Sequence, residues 1–176
     1  MRILILLIFL MSNSFANEVL GIKNLVIHKE FKKYDGLTFL NAQKDQLNLD
    51  DYKGNLILLN FWATWCLPCK EEMPSLDLLH QNQDLDNLKI FPINVGQENL
   101  EKTSIFFKDL KIKNLKTYFD SPITLAKKLG LRGIPTTVLI NKNGSEFARI
   151  VGSIDFNDKE FVPVSYTHLR AHETRG

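Results

Sequence analysis

The sequence predicts an α/β fold, a central mixed β-sheet flanked by helices on both sides with an N-terminal β-hairpin extension, and three observations carry that prediction. "NLILLNFW" and "LKIFPINV", residues 55–62 and 88–95, are apolar runs of strand length, as strands covered on both faces require. Each leads into a stretch whose apolar residues recur at helical spacing. "TTVLINKNGSEFARIVG", residues 136–152, then holds two strand-like runs joined by Asn141-Lys142-Asn143-Gly144, a hairpin turn, so part of the sheet is antiparallel.

The elements follow in order. Residues 1–16 form a secretory leader: Arg2 supplies a positive start, residues 3–11 are unbroken apolar, and Ser14-Phe15-Ala16 ends in the small-x-small pattern cut after Ala16. The apolar run is about half the roughly 20 residues that span a bilayer, which favours a cleaved leader over an anchor and directs the chain to the periplasm. Residues 17–36 are weakly patterned, an N-terminal arm. Residues 37–49 alternate around a polar centre as a hairpin does. After the strand at 55–62, a helix enters at Pro68 and runs to about His80, kinked at Pro74. The strand at 88–95 contains Pro92, which disturbs its regularity. A helix at 100–110, a short strand in "TYFD", a short helix at 123–129 closed by Gly130 and the final hairpin complete the pattern. Asp158 starts a closing helix that stops early, because "PVSYTHLRAHET", residues 163–174, has neither period. Back-translated, that string resembles a transposon-type sequencing adapter. The working domain is therefore expected at 37–162 with its last helix truncated, and residues 163–176 are expected to be non-native.

Charge narrows the function classes. The chain has 22 Lys+Arg and 20 Asp+Glu; without Arg2, Arg170, Arg175 and Glu173, 19 of each remain. A neutral domain with no dense basic tract is not built for nucleic acid. Residues 17–162, about 145 in all, suffice for a core without disulfide staples.

Cys66 and Cys69 are the chain's two cysteines. A bridge closing so short a loop removes little chain entropy and is a poor staple. Zinc needs two further ligands, and the four histidines supply only His28 and His80 outside the suspect tail. Covalent haem attachment wants His after the second Cys, where Lys70 stands. A redox pair remains, with no cofactor and no metal. With Cys66 at the cap of the helix and Cys69 in its first turn, unpaired N–H groups and the helix dipole stabilise a thiolate on Cys66. Cys66 is the expected nucleophile, and the more buried Cys69 the resolving thiol. Pro68 surrenders an N–H that has no helical partner.

These residues resemble the TlpA/ResA/DsbE type of thioredoxin-like thiol-disulfide oxidoreductase. The likeness rests on "LNLDDYKGNLILLNFWATWCLPCKEEMP", "LGLRGIPTTVLINKNG" and "RIVG", and covers roughly residues 37–154. It implies a thioredoxin-like fold, Trp65 on the rim of the cysteines, and a cis Pro135 facing the disulfide, with the backbone of Ile134 left to pair with a substrate peptide. It also implies a base for Cys69. Asn60 stands where thioredoxins carry a buried aspartate, and the resembled family places a glutamate on the active-site helix. Glu72, three residues past Cys69, lies on the same side of that helix, whereas Glu71 is rotated about 100° away.

The expected function is a periplasmic oxidoreductase that reduces protein disulfides. The resemblance implies recharging by a membrane electron-transfer protein of the DsbD or CcdA kind, and a client such as apocytochrome c or a copper-site assembly protein. Two rivals are a non-enzymatic thioredoxin-like binding module and a disulfide-introducing oxidase; Leu67-Pro68 sits nearer the reducing members.

Overall fold

A computed structural model describes residues 24–82, 87–158 and 161. The leader, the tail at 163–176 and most of the closing helix lie outside the described residues. No helix among the described residues is long and apolar enough to cross a membrane.

Eight strands form one mixed sheet among these residues: β1 (Leu25–Lys32), β2 (Thr38–Leu40), β3 (Gln46–Asn48), β4 (Leu56–Trp62), β5 (Leu88–Asn94), β6 (Tyr118–Phe119), β7 (Thr136–Ile140) and β8 (Glu146–Val151). Their spatial order is β1-β8-β7-β4-β5-β6-β2-β3. The pairs β4–β5 and β5–β6 are parallel and the others antiparallel. Three helices join them: α1 (Leu67–Leu79), α2 (Leu100–Asp109) and α3 (Leu125–Lys128). Every residue of β4 is buried, so its alternating side chains feed two cores. Leu56, Leu58 and Trp62 pack with Met73 and Leu76 of α1 and Phe106 and Phe107 of α2. On the opposite face Ile57, Leu59 and Phe61 meet Leu125 of α3, Leu129 at its C-cap and Phe39 of the hairpin β2–β3. Trp62 stacks against two neighbouring rings, 4.8 Å from Phe106 and 5.3 Å from Phe107.

The local signals behave as their chemistry requires. The β7–β8 turn closes with Gly144 N–H on Asn141 O at 2.9 Å, while Asn141 Oδ1 accepts the N–H groups of Asn143 and Ser145 at 3.0 Å each. Gly144 there has φ +79°, a conformation that costs a residue with a Cβ. Pro92 sits within β5 without ending it, and α1 continues through Pro74. Asp77 of α1 accepts the backbone N–H groups of Lys113, Asn114 and Leu115 at 3.2, 2.9 and 2.9 Å, tying the helix to the loop beyond α2.

The N-terminal arm is extended and more regular than its weak pattern suggested. From Leu25 it is a strand that pairs antiparallel with β8 at the sheet edge. Its pattern is weak because only one face finds a partner: Leu25 and His28 are half-buried, and Val26, Ile27 and Phe31 are exposed. A buried carboxylate pins it, since Glu146 of β8 meets His28 Nε2 at 2.6 Å, Tyr34 Oη at 2.8 Å and Arg149 Nε at 2.6 Å. Burial pushes Glu146 up, but Arg149, His28 and Tyr34 outweigh it and hold the carboxyl below its usual range.

Past β8 the chain returns over α1. Phe156 and Phe161 are fully buried, with ring centroids 5.1 Å apart in an edge-to-face pair. Phe161→Ala should therefore cost about 3 kcal/mol of unfolding free energy in urea denaturation, the low end for a buried phenylalanine. A loss under about 1 kcal/mol would show that this segment adds little to the core.

Candidate active site

The site hangs from the C-terminal end of β4. After Trp62 the chain turns through Ala63–Cys66, closed by Cys66 N–H on Ala63 O at 3.2 Å, and enters α1 at Leu67. Cys66 is the N-cap: its backbone is extended, and its sulfur accepts the Cys69 N–H at 3.3 Å. Pro68 lies in the first turn, where its missing N–H costs nothing. Cys66 and Cys69 are bridged, with Cα atoms 5.3 Å apart. Both are buried in this bridged state, Cys66 keeping 5% of its surface and Cys69 none. Trp65 and Leu67 flank them, 68% and 65% exposed.

Pro135 comes in from the neighbouring strand. The register pairs Phe61 of β4 with Thr136 of β7, which sets Pro135 beside the end of β4 from which the cysteine turn departs. The Ile134–Pro135 bond is cis, as the family likeness implied; so is Ser121–Pro122, which nothing in the sequence had marked. Pro135 is buried and Ile134 half-buried.

Glu72 is 2% exposed on the buried side of α1, the side that also carries Cys69, Met73 and Leu76. Glu71 is exposed. The Glu72 carboxylate accepts Asn60 Nδ2 at 2.8 Å and the Ile154 N–H at 3.3 Å, and Asn60 Nδ2 also donates to Thr137 Oγ1 at 3.0 Å. Burial pushes the Glu72 pKa up to about 7 against the pull of those two bonds. A groove of about 480 Å³ between α1 and residues 153–157 borders Glu72, Ser75, Ile154 and Asp155, and opens to solvent. The sequence had paired neither Asn60 nor Ile154 with Glu72. Asn60 shares its face of β4 with Trp62 and so looks at α1, a placement that needs the register of the sheet. Among the described residues no three His, Cys, Asp or Glu side chains gather as metal ligands do.

A bridged Cys-x-x-Cys at the N-terminus of a helix, on a mixed sheet with helices on both faces, defines a thioredoxin-like protein with a redox disulfide. The chain belongs to the AhpC/TSA family, whose model matches residues 28–145. It is similar to the thiol-disulfide oxidoreductase ResA of Geobacillus thermodenitrificans, 34% identical over 112 residues, 62% of each chain. It is also similar to the protein of that name from Geobacillus kaustophilus, 32% identical over 70% of this chain and 69% of the relative. A DsbF homologue from Corynebacterium diphtheriae shares the fold, with a TM-score of 0.67 and 24% identity over 84% of this chain and 94% of that one.

The raised Glu72 pKa makes stability depend on pH. Between the usual glutamate value of 4.5 and about 7 the folded state holds a proton that the unfolded chain has lost, so this group's contribution falls as pH rises through that window. Glu72→Gln removes the penalty. Relative to wild type, the bridged variant should be more stable near pH 8 than near pH 4 by an amount of order 3 kcal/mol, read by urea unfolding at both pH values. A difference that stays constant with pH would mean that Glu72 titrates normally.

Proposed function

We propose that the protein is a thiol-disulfide oxidoreductase that works mainly as a reductant of protein disulfides in the periplasm. The observation that carries this is the bridged Cys66–Cys69 pair at the start of α1, with the buried Glu72 carboxylate one turn further along. In the reduced protein the Cys66 thiolate, stabilised by first-turn N–H groups, attacks a client disulfide. One client sulfur leaves as a thiolate and the other becomes bonded to Cys66. Cys69 gives its proton to Glu72, and the new thiolate attacks the Cys66 sulfur. That closes the Cys66–Cys69 bridge and releases the second client sulfur; two electrons have passed to the client, whose two thiolates take up protons. Glu72 passes its proton to water through the groove beside Ile154. A carboxyl titrating near neutral pH suits both halves of this transfer.

A dithiol donor must reduce the bridge again, and we assign that to a membrane electron-transfer protein of the DsbD or CcdA kind. Apocytochrome c or a copper-site assembly protein is the client class. The exposed Trp65 and the Ile134–Pro135 bond form the client-facing rim. Residues 1–16 act as the export leader, and residues 163–176 are not part of the working protein. The ResA relatives, named for thiol-disulfide oxidoreduction, support the class of reaction.

Cys69→Ser leaves Cys66 joined to whatever it attacks. Non-reducing electrophoresis with mass spectrometry should find trapped mixed disulfides for Cys69→Ser and almost none for Cys66→Ser; equal trapping contradicts the assignment. Equilibration with glutathione should give a potential near or below thioredoxin's roughly −270 mV, and one well above it makes the protein an oxidase instead.

Glu72→Gln should slow resolution of a preformed Cys66 mixed disulfide by about a hundredfold and change its pH dependence, while Glu71→Gln should do neither. Rapid-mixing kinetics from about pH 6 to 9 measure this, and wild-type rates in both variants remove the base role from Glu72.

A further inference from the structure

Apart from Glu72, one more buried carboxylate reaches the turn that presents Cys66. Glu98 lies in the loop between β5 and α2, its side chain 3% exposed. It accepts the Thr64 N–H at 2.9 Å, the Thr64 hydroxyl and Asn94 Nδ2 at 2.8 Å, and it pairs with Lys102 Nζ at 2.6 Å. Burial pushes its pKa up, but Lys102, Thr64 and Asn94 outweigh it and hold the group at about 2, so it is an anion at any working pH. The loop passes so close that a Cβ on Gly96 would lie 2.8 Å from Glu98 Oε2 and 3.0 Å from Ala63 Cβ. Asn94 Oδ1 accepts the Gly96 N–H at 3.0 Å, which shapes the loop from within. Nothing else in the proposed reaction uses this carboxylate. A buried anion with three donors and a counter-ion is costly to assemble, and two of those donors, the Thr64 N–H and hydroxyl, belong to the turn ending at Cys66, which the carboxylate thereby ties to Asn94 of β5 and Lys102 of α2.

We propose that Glu98 is a positioning residue: through Thr64 it holds the turn so that Cys66 caps α1, where its sulfur meets the Cys69 N–H. A cap needs its side chain within reach of the first-turn N–H groups, and here the capping atom is the reacting atom. The rigidity of the turn therefore sets how well a Cys66 thiolate is stabilised. This inference rests on Cys66 being the attacking thiol.

The test is the pH profile of Cys66 alkylation by iodoacetamide in the reduced full-length protein, with the modified site identified by mass spectrometry. Glu98→Ala should lower the rate near neutral pH by about tenfold and move the midpoint of the profile up by about one unit. Glu98→Gln still accepts the Thr64 N–H and should recover most of the rate. Thr64→Val loses only the hydroxyl bond and leaves Glu98 and Lys102 both charged, so it isolates the anchor from the charge; its midpoint should move the same way by less. A folded Glu98→Ala protein with the wild-type midpoint overturns the proposal. If that variant does not fold, an unmoved midpoint in Thr64→Val overturns it. Wild-type alkylation no faster than free cysteine would remove the Cys66 assignment and this proposal together, whereas a fast wild type with unmoved variants removes this proposal alone.

Discussion

Asn60 donates both hydrogens of one amide nitrogen inside the core, one to Glu72 of α1 and one to Thr137 of β7, and these bonds join the three elements on which the chemistry stands. A carboxylate with almost no exposed surface survives only where its oxygens find donors. Asn60 can supply them because β4 is covered on both faces and its side chain cannot turn to water instead. The amide stabilises the charged carboxylate only in part, and Glu72 is left poised between its two protonation states near neutral pH. An aspartate in place of Asn60 would set two acids against each other at this spot; the amide leaves Glu72 the sole acid of the pair.

The helix start obeys a related rule. Cys66 is at once the last residue of a turn and the cap of α1, so backbone geometry and thiol chemistry are set by the same atoms. The turn is held from below by the paired strands and from the side by Glu98, and Pro135 arrives from β7. Three segments distant in sequence thus fix a site whose two sulfurs come from only four consecutive residues.

That distribution explains what could be read in advance. The strands at 55–62 and 88–95, the two hairpins and the helix entry beside Pro68 are local properties of periodicity, turn chemistry and capping, and each is found where its pattern placed it. The opposed placement of Glu71 and Glu72 followed from helical geometry alone. What stayed hidden depends on contacts across the chain. β1 has no clean alternation because its partner, β8, covers only one edge and little of its faces. Asn60 meets Glu72 only when β4 and α1 are stacked with one particular rotation. Thr64 and Glu98 are ordinary polar residues until β5 brings their loops together, and no local spacing encodes that.

The position of β4 between unequal neighbours governs the order in which the site can be assembled. Ile57 pairs with Lys89 on one side and with Ile140 on the other, so the parallel contact closes a far shorter stretch of chain than the antiparallel one. Contacts near in sequence form at lower entropic cost, which favours β4, α1 and β5 as an early unit and leaves β7, with Pro135 before it, to dock later. A newly made chain thus holds both thiols at a helix start before the surface opposite them exists. With only two cysteines in the whole sequence, such an intermediate has a single intramolecular bridge to make, and it is the native one.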